Sequence, residues 1–280
     1  MVYRSSGDEP MEAFWTAVLA FAKSITTEVG AQLLQDFGQM QALEKEDGSL
    51  VTPSDRWADL TLREAIAARF PTHGVLSEEV EHVLPATDWC WVIDPIDGTT
   101  NFTQGIPLWA ISLGLLYRGT PIFGCIYLPP LKQHFHGFWS APDRENGAYL
   151  NDKPIQARAD APGSNQFFSF CARSIKYYRH PFPCKIRMLG ASSYNFLTVA
   201  AGIALGAVEA TPKIWDIAGV WPIAQAAGAT WVALDGRSPF PLTPGKNYGQ
   251  EVYPTLVAAR SQWVEQFLPF IEDLGKRSVP

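Results

Sequence analysis

Apolar side chains recur at spacings of three and four residues near the start of the chain. They are Phe14, Val18, Phe21, Ile25, Val29 and Leu33. This spacing aligns them on one helical face and predicts a long amphipathic helix over roughly residues 10–37. A second helix is predicted from Ser54, its expected N-cap, to about residue 70. Its inward face is expected to carry Trp57, Leu60, Ile66 and Phe70.

The middle of the chain has a pattern typical of β-structure. Apolar runs at 109–117 and 121–128 flank Arg118-Gly119-Thr120 and predict a hairpin, with further strands at 133–139 and 147–150. Beyond a turn-rich segment at 162–164, predicted strands (167–172, 185–189, 207–210, 230–234 and 255–259) alternate with predicted helices (about 192–204, 216–227 and 261–274). We therefore predict a layered α/β fold with an N-terminal half, 1–160, and a C-terminal half, 161–280.

Composition narrows the functional classes. The 280 residues carry a net charge of −6, which argues against a general nucleic-acid binder because there is no basic surplus to neutralise phosphates. The four cysteines form no C-x-x-C pair, so a reduced, cytoplasmic setting is expected. The first ten residues contain no apolar core of a signal peptide, and the longest apolar runs are too short to span a bilayer.

The clearest candidate chemistry lies in the segment Asp94-Pro95-Ile96-Asp97-Gly98-Thr99-Thr100-Asn101-Phe102. It follows the apolar run 89–93, which predicts a buried strand, so two carboxylates come at the end of that strand. Pro95 restricts the backbone between them. The small residues after Asp97 leave backbone N–H groups open to an anion. Carboxylates for a hard cation beside amides for a phosphate indicate metal-assisted phosphoryl transfer.

Acidic residues follow or open predicted elements in three other places. Asp55 begins the second helix, Glu78 and Glu79 follow a short strand at 75–77, and Asp216 opens a later helix. Carboxylates that share a cleft repel one another unless a cation neutralises them. Each also has an ordinary explanation, either as a helix-terminal residue or as a solvated loop. Asp97-Gly98 alone would be a common turn, but a turn requires none of the other residues of 94–102.

Four blocks, in order along the chain, resemble the inositol monophosphatase family of Mg²⁺-dependent, lithium-sensitive phosphomonoesterases. Residues 91–102 resemble its first signature and residues 215–219 its second. Residues 45–55 are similar to its K-x-D-x-S-x-V-T-x-x-D segment, and residues 70–79 to its F-P-x-H…E-E segment. A chance match to one block is plausible, whereas a chance match to all four in order is not.

This resemblance implies a fold, a cofactor and an assembly. The fold is an αβαβα sandwich with the metals between its two halves, and the protein is expected to form a homodimer. One Mg²⁺ would be held by Glu78, Asp94 and the carbonyl of Ile96. A second would be held by Asp94, Asp97 and Asp216. Glu78 would also serve a weaker third ion, mostly through water.

The same resemblance implies how a small polyol or sugar phosphate would be bound and hydrolysed. Thr99, with Asp55 behind it, would orient and deprotonate the attacking water, and no covalent intermediate would form. The amides of Gly98 and Thr99 would bind the phosphate at a helix start. The expected substrate-reading residues are Asp97, Gly190, Ala191, Ser192 and Glu209.

Two departures from the family pattern leave the substrate open. Residues 210–214 differ before the second signature, and Ala226-Ala227-Gly228-Ala229 replaces its usual Glu-Ala-Gly-Gly ending. Inositol 1-phosphate is the first expectation. The alternatives within the superfamily are fructose 1,6-bisphosphate, histidinol phosphate and a 3′-phosphoadenosine nucleotide. An alternative from another class is a non-catalytic paralogue that binds protein or RNA.

Overall fold

The computed structural model describes residues 11–45, 48, 50–271 and 274. The helices are α1 (Met11–Asp36), α2 (Pro53–Arg69), α3 (Thr99–Thr103), α4 (Ser192–Ala200), α5 (Ile214–Ala218), α6 (Val220–Ala226) and α7 (Ser261–Phe267). Short 3₁₀ turns lie at Pro129–Leu131, Ile175–Tyr177 and Leu268–Phe270. The described helices include none that is both long enough and apolar enough to cross a membrane.

The described strands form a two-stranded ladder and two larger sheets. The ladder pairs β1 (Leu43–Glu44) with β2 (Leu50–Val51). The first large sheet runs in chain order through β3 (Gly74–Ser77), β4 (Trp89–Asp97), β5 (Ala110–Tyr117), β6 (Thr120–Leu128), β7 (Gln133–Phe138), β8 (Gly147–Leu150) and β9 (Lys153–Pro154). The strands of the second are β10 (Phe167–Phe170), β11 (Lys185–Arg187), β12 (Ala204–Glu209), β13 (Thr230–Ala233) and β14 (Thr255–Ala258), in the order β11-β10-β12-β14-β13.

The elements stack in five layers. Helices α1 and α2 cover one face of the first sheet, where Trp15, Leu62 and Trp91 belong to a single apolar core. Helices α4, α5 and α6 lie between the two sheets, and Ile217 and Ile223 are fully buried there. Helix α7 covers the far face of the second sheet, where Phe267 packs against Phe168 at 4.8 Å between ring centroids. The strand alternation and helical periodicity therefore produce the expected αβαβα order.

Helix α2 corrects two details of the sequence prediction. Its N-cap is Thr52, whose hydroxyl accepts from the backbone N–H groups of Ser54 and Asp55, so Ser54 is not the cap. Trp57 and Leu60 were expected to face inward, but they are 40% and 46% exposed. Ile66 and Phe70, which are also expected to face inward, are buried, and the buried stripe runs through Ala58, Leu62 and Ile66. One residue corresponds to about 100° of helix rotation, so a small error in phase accounts for the exposure of Trp57 and Leu60.

The helix predicted over 216–227 is two helices that meet at Gly219. Pro222 has no N–H with which to bond the carbonyl of Ala218, so the helical ladder is interrupted. The junction also lies directly against the first sheet, where a Cβ placed on Gly124 would overlap the Gly219 carbonyl oxygen. This close approach brings the start of α5, and with it Asp216, toward the end of β4.

Candidate active site

Three carboxylates converge where β4 ends. Asp94 and Asp97 lie on β4, and the pairing of β4 with β5 becomes irregular between them. Asp216 comes from α5, between the two sheets. Each of the three offers one oxygen, and these oxygens all lie within 4.8 Å of one another. The set consists only of carboxylate oxygens, the ligands that hard divalent cations such as Mg²⁺ prefer.

The electrostatics of these acids fit a bound cation. Burial raises the pKa of Asp94 well above its ordinary value, and the charges of Glu78, Asp97 and Asp216 raise it further. Burial, followed by the charge of Asp97, also raises the pKa of Asp216. Mutual repulsion of this kind costs free energy in the folded protein, and a divalent cation among the oxygens would remove that cost.

Local hydrogen bonds fix the orientation of Asp94 and Asp216. The backbone N–H of Ile96 donates to Asp94 Oδ1 at 3.1 Å. The backbone N–H of Lys213 donates to Asp216 Oδ2 at 2.6 Å, as expected for an acid in the first turn of a helix. Asp216 therefore caps α5 and is also part of the carboxylate cluster. Its position suits both a helix-terminal residue and a candidate metal ligand.

Glu78 lies next to the cluster and is paired with a lysine. Lys45 Nζ lies 3.1 Å from Glu78 Oε1 and 2.7 Å from Glu79 Oε1. Burial raises the pKa of Glu78 to about 7, even though the charge of Lys45 acts in the opposite direction. Burial alone would lower the pKa of Lys45, but the two glutamates outweigh it and raise that pKa. The lysine therefore partly neutralises this edge of the site.

Asp55 contacts both the N-cap of its own helix and the start of α3. Its Oδ2 accepts from the backbone N–H and the hydroxyl of Thr52, at 2.7 and 2.6 Å. Its Oδ1 lies 3.3 Å from the hydroxyl of Thr99, which is also 3.1 Å from the carbonyl oxygen of Ile96. Burial is the main reason that the pKa of Asp55 rises to about 6. Such a carboxylate can accept a proton near neutral pH.

The start of α4 connects the second half of the chain to Asp97. The backbone N–H groups of Ser192 and Ser193 donate to the two Asp97 oxygens at 2.9 and 2.7 Å, and the Ser193 hydroxyl donates to the same carboxylate. Gly98 has φ +92°, and a Cβ there would lie 3.2 Å from the carbonyl oxygen of Gly190 and 3.1 Å from the Cβ of Ala191. Glycine thus allows both the turn and the close packing.

Glu209 ends β12 close to the start of α4. It is 3% exposed and accepts from Asn195 Nδ2 at 2.5 Å, and the Ser192 hydroxyl lies 3.4 Å from its other oxygen. Burial raises its pKa to about 7. The structure therefore places Glu209 and Ser192 together, and Ser192 also contacts Asp97.

The sequence did not single out Lys45, Ser193 or Asn195 as site residues. Each acts through a contact between segments 14 to 96 positions apart: Lys45 with Glu78, Ser193 with Asp97, and Asn195 with Glu209. Their positions inside or beside the motifs were the only available signal. Such polar contacts leave no periodic pattern in the sequence.

Comparisons with known proteins identify the family of the chain. The family model "Inositol monophosphatase family" matches residues 15–266. An inositol-1-monophosphatase of Synechocystis is 30% identical over 89% of this chain and 91% of its own length. A histidinol-phosphatase of Chlorobaculum parvum is 31% identical over 79% of this chain and 88% of its own. An IMPase structure from Thermotoga maritima superposes with a TM-score of 0.79 at 24% identity, covering 92% of this chain and 98% of that one.

These findings confirm the fold predicted from the sequence blocks. The family model covers most of the chain, and the three clustered acids lie within the matched region. The chain belongs to the inositol monophosphatase family and is a phosphatase with the αβαβα fold of that family.

Proposed function

We propose that this chain is a Mg²⁺-dependent phosphomonoesterase that hydrolyses inositol 1-phosphate or a similar small polyol or sugar phosphate. The observation that carries the proposal is the convergence of Asp94, Asp97 and Asp216, with oxygens within 4.8 Å, next to the Thr99–Asp55 pair. An all-carboxylate site of this kind suits hard cations, and a phosphate ester is a substrate on which such cations act.

Two groups of side chains would hold the metal. Glu78, Asp94 and the carbonyl of Ile96 form one set, and Asp94, Asp97 and Asp216 form the other. Glu78 would serve a third, weaker ion mainly through water. When bound, Mg²⁺ supplies Lewis-acid stabilisation of the phosphoryl oxygens and lowers the pKa of water. Asp94 belongs to both sets, so it is the acid whose loss should affect the reaction most.

Thr99 and Asp55 would activate the attacking water. The Thr99 hydroxyl lies within hydrogen-bonding distance of two acceptors, Asp55 Oδ1 and the Ile96 carbonyl oxygen, and can donate to only one at a time. With its proton directed to Asp55, its oxygen lone pairs can accept a proton from water. Asp55 then holds the proton, which its pKa of about 6 permits. Water is the nucleophile, so no phosphorylated enzyme forms.

Substrate would be bound by backbone and by Glu209. The amides of Gly98 and Thr99 lie where the left-handed turn at Gly98 leads into α3, and they would donate to the phosphate. Glu209 would accept from hydroxyl groups of a polyol, with Gly190, Ala191 and Ser192 forming the adjoining wall. Asp97 lies between these two regions and could contact both metal and substrate.

Histidinol phosphate and fructose 1,6-bisphosphate are second candidates because relatives carry those names. A histidinol-phosphatase of Chlorobaculum parvum and a fructose-1,6-bisphosphatase/inositol-1-monophosphatase of Aquifex aeolicus are 31% and 30% identical to this chain. Glu209 offers an acceptor that suits either hydroxyl groups or an amine. The choice among these substrates therefore depends on measured specificity.

A phosphate-release panel tests the proposal. The purified full chain is assayed with Mg²⁺ on inositol 1-phosphate, histidinol phosphate, fructose 1,6-bisphosphate and a 3′-phosphoadenosine nucleotide. The expected result is the highest kcat/KM for inositol 1-phosphate. A higher kcat/KM for any other member would overturn the choice of substrate, and no release from any member would overturn the proposed activity.

We also propose a cytoplasmic homodimer that is inhibited by lithium. The support is family membership for the dimer and lithium sensitivity, and the absence of paired cysteines in the described residues for the reducing compartment. Molecular mass in solution by light scattering tests the dimer. A monomeric mass at micromolar concentration would contradict it.

A further inference from the structure

One histidine lies between the two segments that carry Glu78 and Asp216. His82 Nε2 lies 2.8 Å from the backbone oxygen of Glu78, and because a carbonyl only accepts, the histidine donates. The same imidazole stacks on the indole of Trp215, with ring centroids 4.9 Å apart and planes at 25°. Trp215 is the residue before Asp216. His82 therefore contacts the backbone of one proposed metal ligand and the chain neighbour of another.

The loop 245–249 packs against both of these segments and strengthens the connection. The N–H of Tyr248 donates to the His82 carbonyl at 2.9 Å, and Leu84 exchanges backbone hydrogen bonds with Lys246 and Gly245 at 3.0 and 2.9 Å. Gly249 lies under the imidazole edge, where a Cβ would be only 2.6 Å from His82 Nδ1. Glycine at 249 thus leaves the space that the stacked ring occupies.

Asp216 is tied to the same loop from its own side. Lys213 Nζ donates to the carbonyl of Gly249 at 2.6 Å, while the backbone N–H of Lys213 donates to Asp216 Oδ2. His82, Trp215 and the loop 245–249 therefore form one connected set of stacked and hydrogen-bonded residues. It connects the segment after β3 in the first sheet to the start of α5.

Such a connection matters because the acids it holds repel one another. The charge of Glu78 acts unfavourably on Asp94 and Asp216, so without a cation this repulsion favours separation of the two segments. Ring stacking and hydrogen bonds to backbone oppose that separation without adding negative charge. A preformed ligand set needs less rearrangement when a cation binds, and this raises affinity.

We propose that His82 is a positioning residue that holds Glu78 and Asp216 at the separation required for divalent-cation binding. This inference rests on the proposed function, because it takes both acids as ligands. It assigns a role to a histidine that belongs to neither the proposed ligand set nor the proposed substrate-binding set. Its effect should appear in metal affinity, and saturating Mg²⁺ should overcome its loss.

The test measures Mg²⁺ binding to metal-free protein by calorimetry, with no substrate present. His82→Ala removes both contacts and should raise the Kd for Mg²⁺ about tenfold, in the range seen when residues supporting metal ligands are replaced. His82→Phe keeps a ring for stacking and lacks the donor, so its Kd should rise by about threefold. His180→Ala is the matched control, since His180 also contacts an aromatic ring, that of Tyr178, but is exposed.

Activity at saturating Mg²⁺ provides the second readout. The kcat of His82→Ala should then return to within about threefold of wild type, as expected for a residue acting through metal affinity. A Kd within twofold of wild type in His82→Ala would overturn the inference, even if its melting temperature fell. If His82→Ala does not fold, an unchanged Kd in His82→Phe together with a normal melting temperature would overturn the role of the hydrogen bond to Glu78.

The outcomes for the inference and for the proposed function are separable. A wild-type chain that binds Mg²⁺ but releases phosphate from no panel member would overturn the proposed activity, and the Kd comparison would still decide the role of His82. A wild-type chain that does not bind Mg²⁺ would overturn both.

Discussion

The hydroxyl of Thr99 lies 3.3 Å from the carboxylate of Asp55, although the two residues are 44 positions apart. The start of α3 meets the first turn of α2 here, next to the carboxylate cluster. This contact joins a proton acceptor to a hydroxyl that can orient water. It is the relationship from which the proposed chemistry follows most directly.

Replacing Thr99 tests that relationship. Thr99→Val removes the hydroxyl and preserves the shape, so kcat should fall by about 10²–10⁴-fold, the usual contribution of a proton-transfer group. Thr99→Ser keeps the hydroxyl and should retain kcat within about tenfold of wild type. Steady-state kinetics at saturating Mg²⁺ measure both. Equal losses in the two variants would show that the hydroxyl has no role in catalysis.

Asp94→Asn should have opposite effects on activity and stability. Metal ions contribute several kcal/mol to phosphoryl transfer, so kcat should fall by about a thousandfold or more. In chelator, however, the variant should melt at a higher temperature than wild type, because a neutral amide at this buried position removes charge repulsion. The Asn oxygen can still accept from the Ile96 N–H.

Assays of phosphate release and melting curves in chelator measure these two effects. An Asp94→Asn enzyme with near wild-type kcat would exclude a metal role for this acid. A lower melting temperature in chelator would exclude the repulsion that we infer.

Titration of Glu209 should make the stability of the metal-free protein depend on pH. Its pKa is raised from 4.5 to about 7 by burial, so the folded protein binds its proton more tightly than the unfolded chain does. The stabilisation that this proton provides is fully present below about pH 4.5 and is lost as pH rises through about 7. The whole shift corresponds to about 3 kcal/mol, an order-of-magnitude value for this nearly fully buried side chain.

The Glu209→Gln variant isolates this contribution. Glutamine keeps an oxygen that can accept from Asn195 and does not titrate. Relative to wild type, the free energy of unfolding of the variant should therefore be larger at pH 8 than at pH 5. Denaturant unfolding at the two pH values gives the difference. The same relative stability at both would mean that Glu209 titrates at its ordinary pKa.

The sequence analysis expected Leu60 to face inward on α2, whereas the structure buries Leu62 and leaves Leu60 half-exposed. Variants at these two positions should therefore differ in stability. Leu62→Ala removes a fully buried side chain and should cost about 2–5 kcal/mol of unfolding free energy. Leu60→Gln changes a side chain that is 46% exposed and should cost about 0.5 kcal/mol or less. Urea unfolding of the two variants measures the difference. A larger loss for Leu60→Gln would place Leu60 in the core.

Much of the fold was predictable because its signals are local. The periodicity of α1 predicted a helix that ends within one residue of the observed Asp36, and the strands β5 to β8 lie where alternating or continuous apolar runs placed them. The exposure of Trp57 and Leu60 on α2 has a tertiary cause, whereas the break between α5 and α6 has a local one. The first is set by which stripe packs on the sheet, and the second by Pro222, which has no N–H to continue the helical ladder.

The carboxylates of the site were predictable from motif spacing, whereas their supporting residues were not. Asp94 and Asp97 stand out because two acids follow an apolar strand, and the structure brings Asp216 to them. Ser193, Asn195 and His82 act through partners that the sequence does not pair. The roles of the site residues and the division near residue 160 stay predictions.

Binding of divalent metal by these acids can be tested by phosphate release from inositol 1-phosphate. The wild-type chain is assayed with Mg²⁺, after chelation and after Mg²⁺ is restored. We predict hydrolysis with Mg²⁺, its loss on chelation and its recovery when Mg²⁺ is restored. Hydrolysis that continues unchanged in the presence of excess chelator would contradict a mechanism in which these acids bind divalent metal.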